Sequence, residues 1–372
     1  MKFVLFYHSL TSDWNHGNAH FLRGVVTELL ARGHDVQVYE PADGWSLRQL
    51  TRFEGASAVE GFRRHYPHLE PRRYRLETLD LDAALEQADV VVVHEWNPLR
   101  LLEKIGRHRR TSSSRYRLLF HDTHHRAVSA AQEIDRYPLS DFDGTLAFGE
   151  TVAEVYRRRG WGRRVWVWHE AADTRVFKPA AEKPEPEGDL VWIGNWGDDE
   201  RGAELHTFLF EPVRSNGISG SVYGVRYPGE ALQAVARSGL RYRGWAPNYE
   251  VPELFHRHLF TVHIPRRFYR RELAGIPTIR VFEALACGIP LICAPWADTE
   301  QLFRAGRDFL LVRNGGEMAK AMRDIRADPA MARELALAGR QVIEKRHSCR
   351  HRVDQLLGIC SDLVSNPMAA AS

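Results

Sequence analysis

Short apolar runs recur from the first residues of this chain, each separated from the next by a stretch with helical periodicity. Residues 3–7 (FVLFY) form a continuous apolar run, the pattern of a strand buried on both faces of a parallel sheet. A polar loop over 8–18 follows, then a helical pattern over 19–32 with Phe21, Val25, Leu29 and Leu30 on one face. Gly33 closes that helix and residues 35–39 read as the next strand. Further strands are predicted at 90–94, 117–121, 144–147 and 165–168, with helical segments between them. Regular strand–helix alternation folds as a doubly wound α/β domain, whose ligands sit beyond the carboxyl ends of the strands. The loops to inspect are therefore 8–18, 95–98 and 122–129.

The alternation is interrupted once. Residues 178–188 (KPAAEKPEPEG) interleave Pro179, Pro184 and Pro186 with charge and fit neither a helix nor a central strand. After them it resumes: a strand in LVWIG, a helix near 200–209, a strand in GSVYGV, a helix near 230–238 and a strand in LRYRG. A helix over 252–260, a strand in TVHIP and C-terminal helices over 316–326, 329–345 and 349–363 follow. The expected organisation is a first α/β domain over 1–178, a hinge over 179–188 and a second over 189–345. Residues 346–372 are then a C-terminal helix that packs back on the first domain. A chain of 372 residues suffices for two such cores. The formal charge of +3 excludes wholesale coating of nucleic acid. Four cysteines without a CxxC pair read as buried reduced thiols of a cytoplasmic protein. No run reaches the roughly 18 apolar residues of a membrane span, and the N-terminus reads as a first strand and not a leader.

The most informative segment is 278–295, TIRVFEALACGIPLICAP: a loop, a short helix, a glycine stop and a buried strand. Such a unit seats a nucleotide diphosphate. The N–H groups of Thr278, Ile279 and Arg280 at the helix start face the phosphates, and the helix dipole favours negative charge there. Glu283, one turn in, has the reach for ribose hydroxyls; the competing reading is a carboxylate that merely complements the helix start. Arg280 suits a bidentate grip on phosphate, or alternatively a salt bridge. Gly288 is a left-handed helix stop.

Gly17, Asn18 and His20 (GN-H), RGHDV at 32–36, DTRVFKP at 173–179, WIGNW at 192–196 and RVFEALACGIPLI at 280–292 together resemble two-domain GT-B glycosyltransferases of group 1. The branch they resemble is the CgeB-like one, of spore maturation protein type. The resemblance implies a GT-B fold, two Rossmann-like doubly wound domains facing a cleft. It further implies transfer of a sugar, typically a hexose, from a nucleotide-diphosphate sugar to an acceptor, without a metal or other cofactor. The acceptor side lies mostly in the first domain and the donor side in the second.

In many retaining members a Glu-x7-Glu motif spans this segment. Glu283 is the second Glu, but Gly275 stands where the first is expected, with Glu272 a substitute only if the loop bulges. This puts contacts to the donor sugar, and the stereochemical outcome, in question. Arg201 matches the position of a cation for the leaving diphosphate, with Arg266 and Arg267 as alternatives and His263 lining the same pocket; an exposed loop charge is the plain alternative for Arg201. His124 or His125, in HDTHHR, matches a loop histidine that faces the donor sugar. His20 is a base or a sugar contact, and Glu95 a weaker acceptor-side base. Three histidines and an aspartate in six residues lack the second cluster a zinc site needs, so no metal is expected.

Two basic stretches, 63–75 and 107–117, suit an anionic acceptor, a membrane surface or nucleic acid, or are simply solvated. The acceptor is left open among glycan, small molecule, protein and anionic polymer; a nucleic-acid partner is not expected and peripheral membrane contact stays open. The rival functions are a nucleotide-sugar epimerase on the same fold, a catalytically silent sugar-nucleotide-binding protein and, on the basic stretches alone, a nucleic-acid-modifying transferase.

Overall fold

The computed structural model describes residues 1–113, 115–182, 184–197 and 200–365. The chain divides into two compact units. The first comprises Met1–Asp13, Phe21–Glu170 and the chain from Cys349 on; the second comprises Trp14–His20 and Ala171–Ser348.

The first unit is built on a seven-stranded parallel sheet. Its strands are β1 (Lys2–Phe6), β2 (Asp35–Pro41), β3 (Arg72–Tyr74), β4 (Val90–His94), β5 (Arg117–Asp122), β6 (Gly144–Ala147) and β7 (Val165–Val167), in the order β3-β2-β1-β4-β5-β6-β7. Phe3 pairs with Val36 on one side and Val90 on the other, which places the two most apolar runs at the centre. The strand order reverses between β1 and β4, the switch point at which such sheets open a crevice. Gly144 in β6 is required by close packing, since a Cβ there would lie 2.2 Å from the Trp166 ring.

The strand β3 has no counterpart in the sequence reading. Of its three residues only Tyr74 is buried, so it leaves no apolar run to detect. The C-terminal helix Cys349–Ser365 belongs to this unit. Trp168 Nε1 donates to the Arg352 carbonyl (2.8 Å), Arg352 Nε donates to the His169 carbonyl (2.9 Å), and Val353, Leu356 and Cys360 are buried.

The second unit carries six parallel strands: β8 (Gly188–Ile193), β9 (Gly220–Tyr223), β10 (Arg241–Gly244), β11 (His258–His263), β12 (Leu291–Cys293) and β13 (Leu310–Leu311). Their order is β10-β9-β8-β11-β12-β13, with the switch point between β8 and β11. Leu190, Trp192, Leu209, Phe260, Ile292 and Met322 form part of its core.

Two expectations shift here. The helix read over 252–260 ends at His256, because His258 and Phe260 enter β11 as part of one buried run with TVH. The helix near 200–209 runs as Gly202–Leu205, widens to a π turn over His206–Phe210 and continues as Glu211–Asn216. Pro212 has no N–H to return to the carbonyl one turn back, which accounts for the widened turn. The boundary between the units falls at 170/171 and again at 348/349, so the segment DTRVFKP and the proline-rich stretch both belong to the second unit.

Candidate functional site

The helix Ile279–Cys287 begins after Thr278, which has extended backbone (φ −78°, ψ 162°) and makes no side-chain cap. Its hydroxyl is instead paired with His263 Nε2 at 3.0 Å. An uncapped first turn keeps its leading N–H groups available to an anion. His263 is the last residue of β11, so this helix start lies at the carboxyl end of that strand, beside the switch point. Burial, and then the charge of Arg201, lowers the His263 imidazole to about 3, so the ring is neutral at pH 7. Gly288 closes the helix in left-handed conformation (φ +68°).

Arg201 reaches the same switch point. Its Nη1 donates to the Ile264 carbonyl (3.2 Å) and its Nη2 to the Asn195 carbonyl, residues that follow β11 and β8 respectively. The guanidinium also lies over the Trp192 ring, 5.2 Å from its centroid. Burial, and then the positive charge of Arg266, lowers its pKa to about 10, which still leaves it charged at neutral pH. The alternative cations are engaged elsewhere. Arg266 donates to Glu200 at 2.6 Å, while Arg267 and Arg270 share Glu204 at 3.5 and 3.4 Å. Asp198 and Asp199 of this loop lie outside the described residues.

Glu283 is 0 % exposed. Its Oε1 stands 2.7 Å from Nδ1 of His20, and its Oε2 accepts from Arg280 Nη1. Burial alone would raise this carboxyl; the charges of Arg280 and His20 outweigh it and hold the group below the usual carboxylate range. The carboxylate read as a ribose ligand thus faces two side chains instead, and of the two readings of Arg280 the structure has the salt bridge.

His20 arrives here on the segment Trp14–His20. Asn195 Nδ2 donates to Asn15 Oδ1 (2.7 Å), and Asn248 Nδ2 donates to the Gly17 carbonyl (3.1 Å). A Cβ on Gly17 would stand 3.4 Å from Cγ2 of Ile279, so this glycine lies directly against the helix start. The His20 ring packs 4.3 Å from Phe177, and its Nε2 is buried with no hydrogen-bond partner among the described residues. The GN-H motif pointed to His20. Glu283 stood out on its own segment, but the pairing of the two, far apart in sequence, carries no local signal.

Gly275 is more than a missing carboxylate. Its φ is +102°, and a Cβ there would lie 2.0 Å from Thr299 Oγ1. Glu272 ends the short helix Arg267–Arg271 and is exposed, so no bulge carries it into the vacant role.

In the first unit, the loops after β4 and β5 bring together several histidines and two acids. The ring of His124 lies 3.9 Å from that of His125 and 4.9 Å, edge-on, from Trp96. His125 Nδ1 pairs with Ser129 at 2.8 Å. Glu95 and Asp122 are both fully buried: Glu95 accepts from the Thr123 N–H (2.8 Å) and hydroxyl (3.0 Å), Asp122 from the Tyr156 hydroxyl (2.7 Å). Burial, reinforced by the neighbouring Asp122 charge, pushes Glu95 well above the usual carboxylate range. Glu95 is therefore buried beneath the loop and not an open base. His121 is also fully buried; burial lowers it to about 3, and neither ring nitrogen has a partner among the described residues. Among the described residues no group of three His, Cys, Asp or Glu side chains could hold a metal ion.

Four arginines of the basic stretches are paired with carboxylates elsewhere in the first unit. Arg63 meets Glu60 at 2.5 Å and Arg73 meets Glu40 at 3.6 Å, while Arg110 meets Asp141 and Arg109 meets Asp143 at 3.8 Å. No helix among the described residues is long and apolar enough to cross a membrane.

Residues 201–358, which include Arg201, Arg280 and Glu283, match the family described as glycosyl transferase-like. The whole chain also superposes on solved glycosyltransferases. The α-glucosyltransferase in complex with UDP and a 13-mer DNA containing an HMU base is 11 % identical, with a TM-score of 0.71 over 97 % of this chain and 99 % of that one. The chain has the GT-B fold. HepE from Anabaena, in complex with UDP and glucose, aligns with a TM-score of 0.69 and 14 % identity over 98 % of this chain and 100 % of that one. Sucrose-phosphate synthase from Thermosynechococcus elongatus aligns with a TM-score of 0.68 and 15 % identity over 98 % and 99 %. No curated protein matches the chain.

Proposed function

We propose that this GT-B protein transfers a sugar, a hexose by resemblance, from a nucleotide-diphosphate sugar to an acceptor, in the cytoplasm and without a metal ion. We further assign it to the CgeB-like branch on its RVFEALACGIPLI segment. The observation that carries the reading is the uncapped helix start at Thr278–Arg280 beside a guanidinium, Arg201, anchored across the switch point. The diphosphate accepts from the N–H groups of Ile279 and Arg280. As the bond from the sugar's anomeric carbon to the phosphate oxygen breaks, the diphosphate leaves with the electron pair. Arg201 and the helix dipole stabilise the charge that develops, at a position fixed before the reaction. The acceptor oxygen bonds to that carbon and gives its proton to a base, for which His20 and His124 are the candidates. Glu283 holds His20 and Arg280 in place.

A screen of nucleoside diphosphates and their sugars by thermal shift tests this reading. A ligand at 100 times its Kd stabilises by about 2.7 kcal/mol, a shift of a few degrees for a chain of this size. Stabilisation by one base and sugar names the donor; no shift with any overturns the nucleotide seat. The backbone at Gly275 favours one second reading, a silent binding protein. In that case nucleotide sugars bind but no nucleoside diphosphate is released in their presence.

A further inference from the structure

Trp96 is 44 % exposed, an unusual state for a tryptophan at the mouth of a buried strand. It lies in the turn after β4, at the carboxyl side of the switch point between β1 and β4, where a doubly wound sheet places its ligands. The turn is rigid. Neighbouring Asn97 donates to the carbonyls of Phe6 (2.8 Å) and His94 (2.9 Å) and accepts from the Tyr74 hydroxyl (3.3 Å), and Pro98 fixes the next backbone angle.

The indole itself is clamped. The guanidinium of Arg126 lies 4.8 Å from the ring centroid, and Arg126 in turn donates to the Glu95 carbonyl (3.0 Å), Glu133 (2.7 Å) and the Tyr137 hydroxyl (2.6 Å). With one face covered by that cation, the exposed area belongs to the opposite face and the ring edge. His124 meets the ring at 4.9 Å and His8 at 6.4 Å. His8 Nδ1 pairs with His94 Nδ1 at 3.4 Å, and burial lowers the pKa of His8 and keeps it neutral.

A fixed flat apolar face bordered by two imidazole rings matches the chemistry of a sugar ring. The C–H face of a pyranose packs on an aromatic plane, while its hydroxyls, each donor and acceptor, pair with imidazole nitrogens. A polyanion or a nucleic-acid strand would need uncommitted cations at the platform, and Arg126 is committed to Glu133, Tyr137 and Glu95.

We propose that Trp96 is the stacking platform of an acceptor subsite in the first unit, and that the acceptor is a carbohydrate whose ring packs on the indole with its hydroxyls against His8 and His124. This rests on the reading of the chain as a sugar transferase.

The test is an array of neutral oligosaccharides, followed by saturation-transfer NMR on any glycan that binds, with wild type, W96A, W96F and W45A. Trp45 is 47 % exposed on the helix Trp45–Glu54 and serves as a control for loss of a surface tryptophan. The wild type is expected to hold at least one glycan, W96A to weaken it tenfold or more, W96F to keep part of the affinity and W45A all of it. The thermal shift with UDP is expected to be the same in W96A and wild type, which shows the variant folded and separates this outcome from failure of the nucleotide seat. The proposal is overturned if no glycan is held, if W96A binds as wild type, if W96F and W45A lose affinity alike, or if a single-stranded oligodeoxynucleotide is captured through Trp96 instead.

Discussion

His121 is fully buried against Phe21, His94 and Trp168 and finds no hydrogen bond for either nitrogen among the described residues. Burial depresses its pKa from the ordinary value near 6.5 to about 3 in the folded chain. The sign of its effect on stability follows. Above pH 6.5 neither state is protonated and the contribution is complete. Below that value the unfolded chain takes up a proton that the folded chain refuses until about pH 3, so stability falls across this window, by up to about 1.4 kcal/mol per pH unit. A ring of similar size without polar atoms removes both the titration and the unpaired nitrogens. His121→Phe is expected to match or exceed wild type at pH 7.5 and to gain clearly over it at pH 5, read as melting temperature by circular dichroism. An unchanged pH dependence would show that His121 is not the titrating group. Glu283 acts through the same linkage. Its folded pKa lies below the ordinary carboxylate value, so its contribution is complete above that value and is lost as pH falls through the depressed one. Glu283→Ala strands His20 and Arg280 beside each other without their counter-charge. It should cost about 3 kcal/mol in stability and weaken the nucleoside diphosphate picked out by the thermal-shift screen at least tenfold by calorimetric titration. Unchanged affinity together with lowered stability would make Glu283 a purely structural residue.

The helix Ile279–Cys287 shows what local sequence can and cannot specify. Its start, its glycine stop and the following strand were all legible, because each rests on a residue type with a local conformational reason: an uncapped turn, a left-handed stop and an apolar run. The direction in which Glu283 and Arg280 point was not legible. It depends on His20, delivered by a loop that leaves the first sheet, and nothing near either residue encodes that meeting. The edge strand β3 and the π turn before Pro212 escaped for a related reason, since neither has a periodicity of its own. The absent carboxylate at Gly275 was visible as a departure, but its backbone cause was not. In left-handed conformation a side chain costs roughly 1–2 kcal/mol, and here Thr299 occupies the space as well. Gly275→Ala and Gly275→Glu should therefore both lower the melting temperature of the second unit by several degrees, and Gly275→Glu should not raise nucleotide-sugar turnover. A neutral Gly275→Ala in a melting experiment would refute the strain argument.

The chain crosses between its two units more often than the alternation of elements suggests. Residues 14–20 leave the first unit for the second, and the chain returns at Cys349 to complete the first. The strand-rich core of each unit was readable because parallel strands buried on both faces must be apolar, whereas these crossings depend on which surfaces meet and leave no run or period. The return matters for stability. The helix Cys349–Ser365 buries Val353, Leu356, Ile359, Cys360 and Leu363, and its Arg352 both donates to His169 and accepts from Trp168. Side chains of this kind stabilise by about 1.5–3 kcal/mol each when fully buried, so their sum is comparable with the roughly 5–15 kcal/mol that holds a whole domain folded. A chain ending at Ser348 is therefore expected to lose the first unit while retaining the second, whose residues are all present. Hydrogen exchange would show it: amides of β1, β4 and β5 should lose protection while those of β8, β11 and β12 keep it, and the thermal shift with the nucleoside diphosphate found by the screen should survive. Full protection of β1 and β4 in the shortened chain would mean that the helix only decorates the first unit.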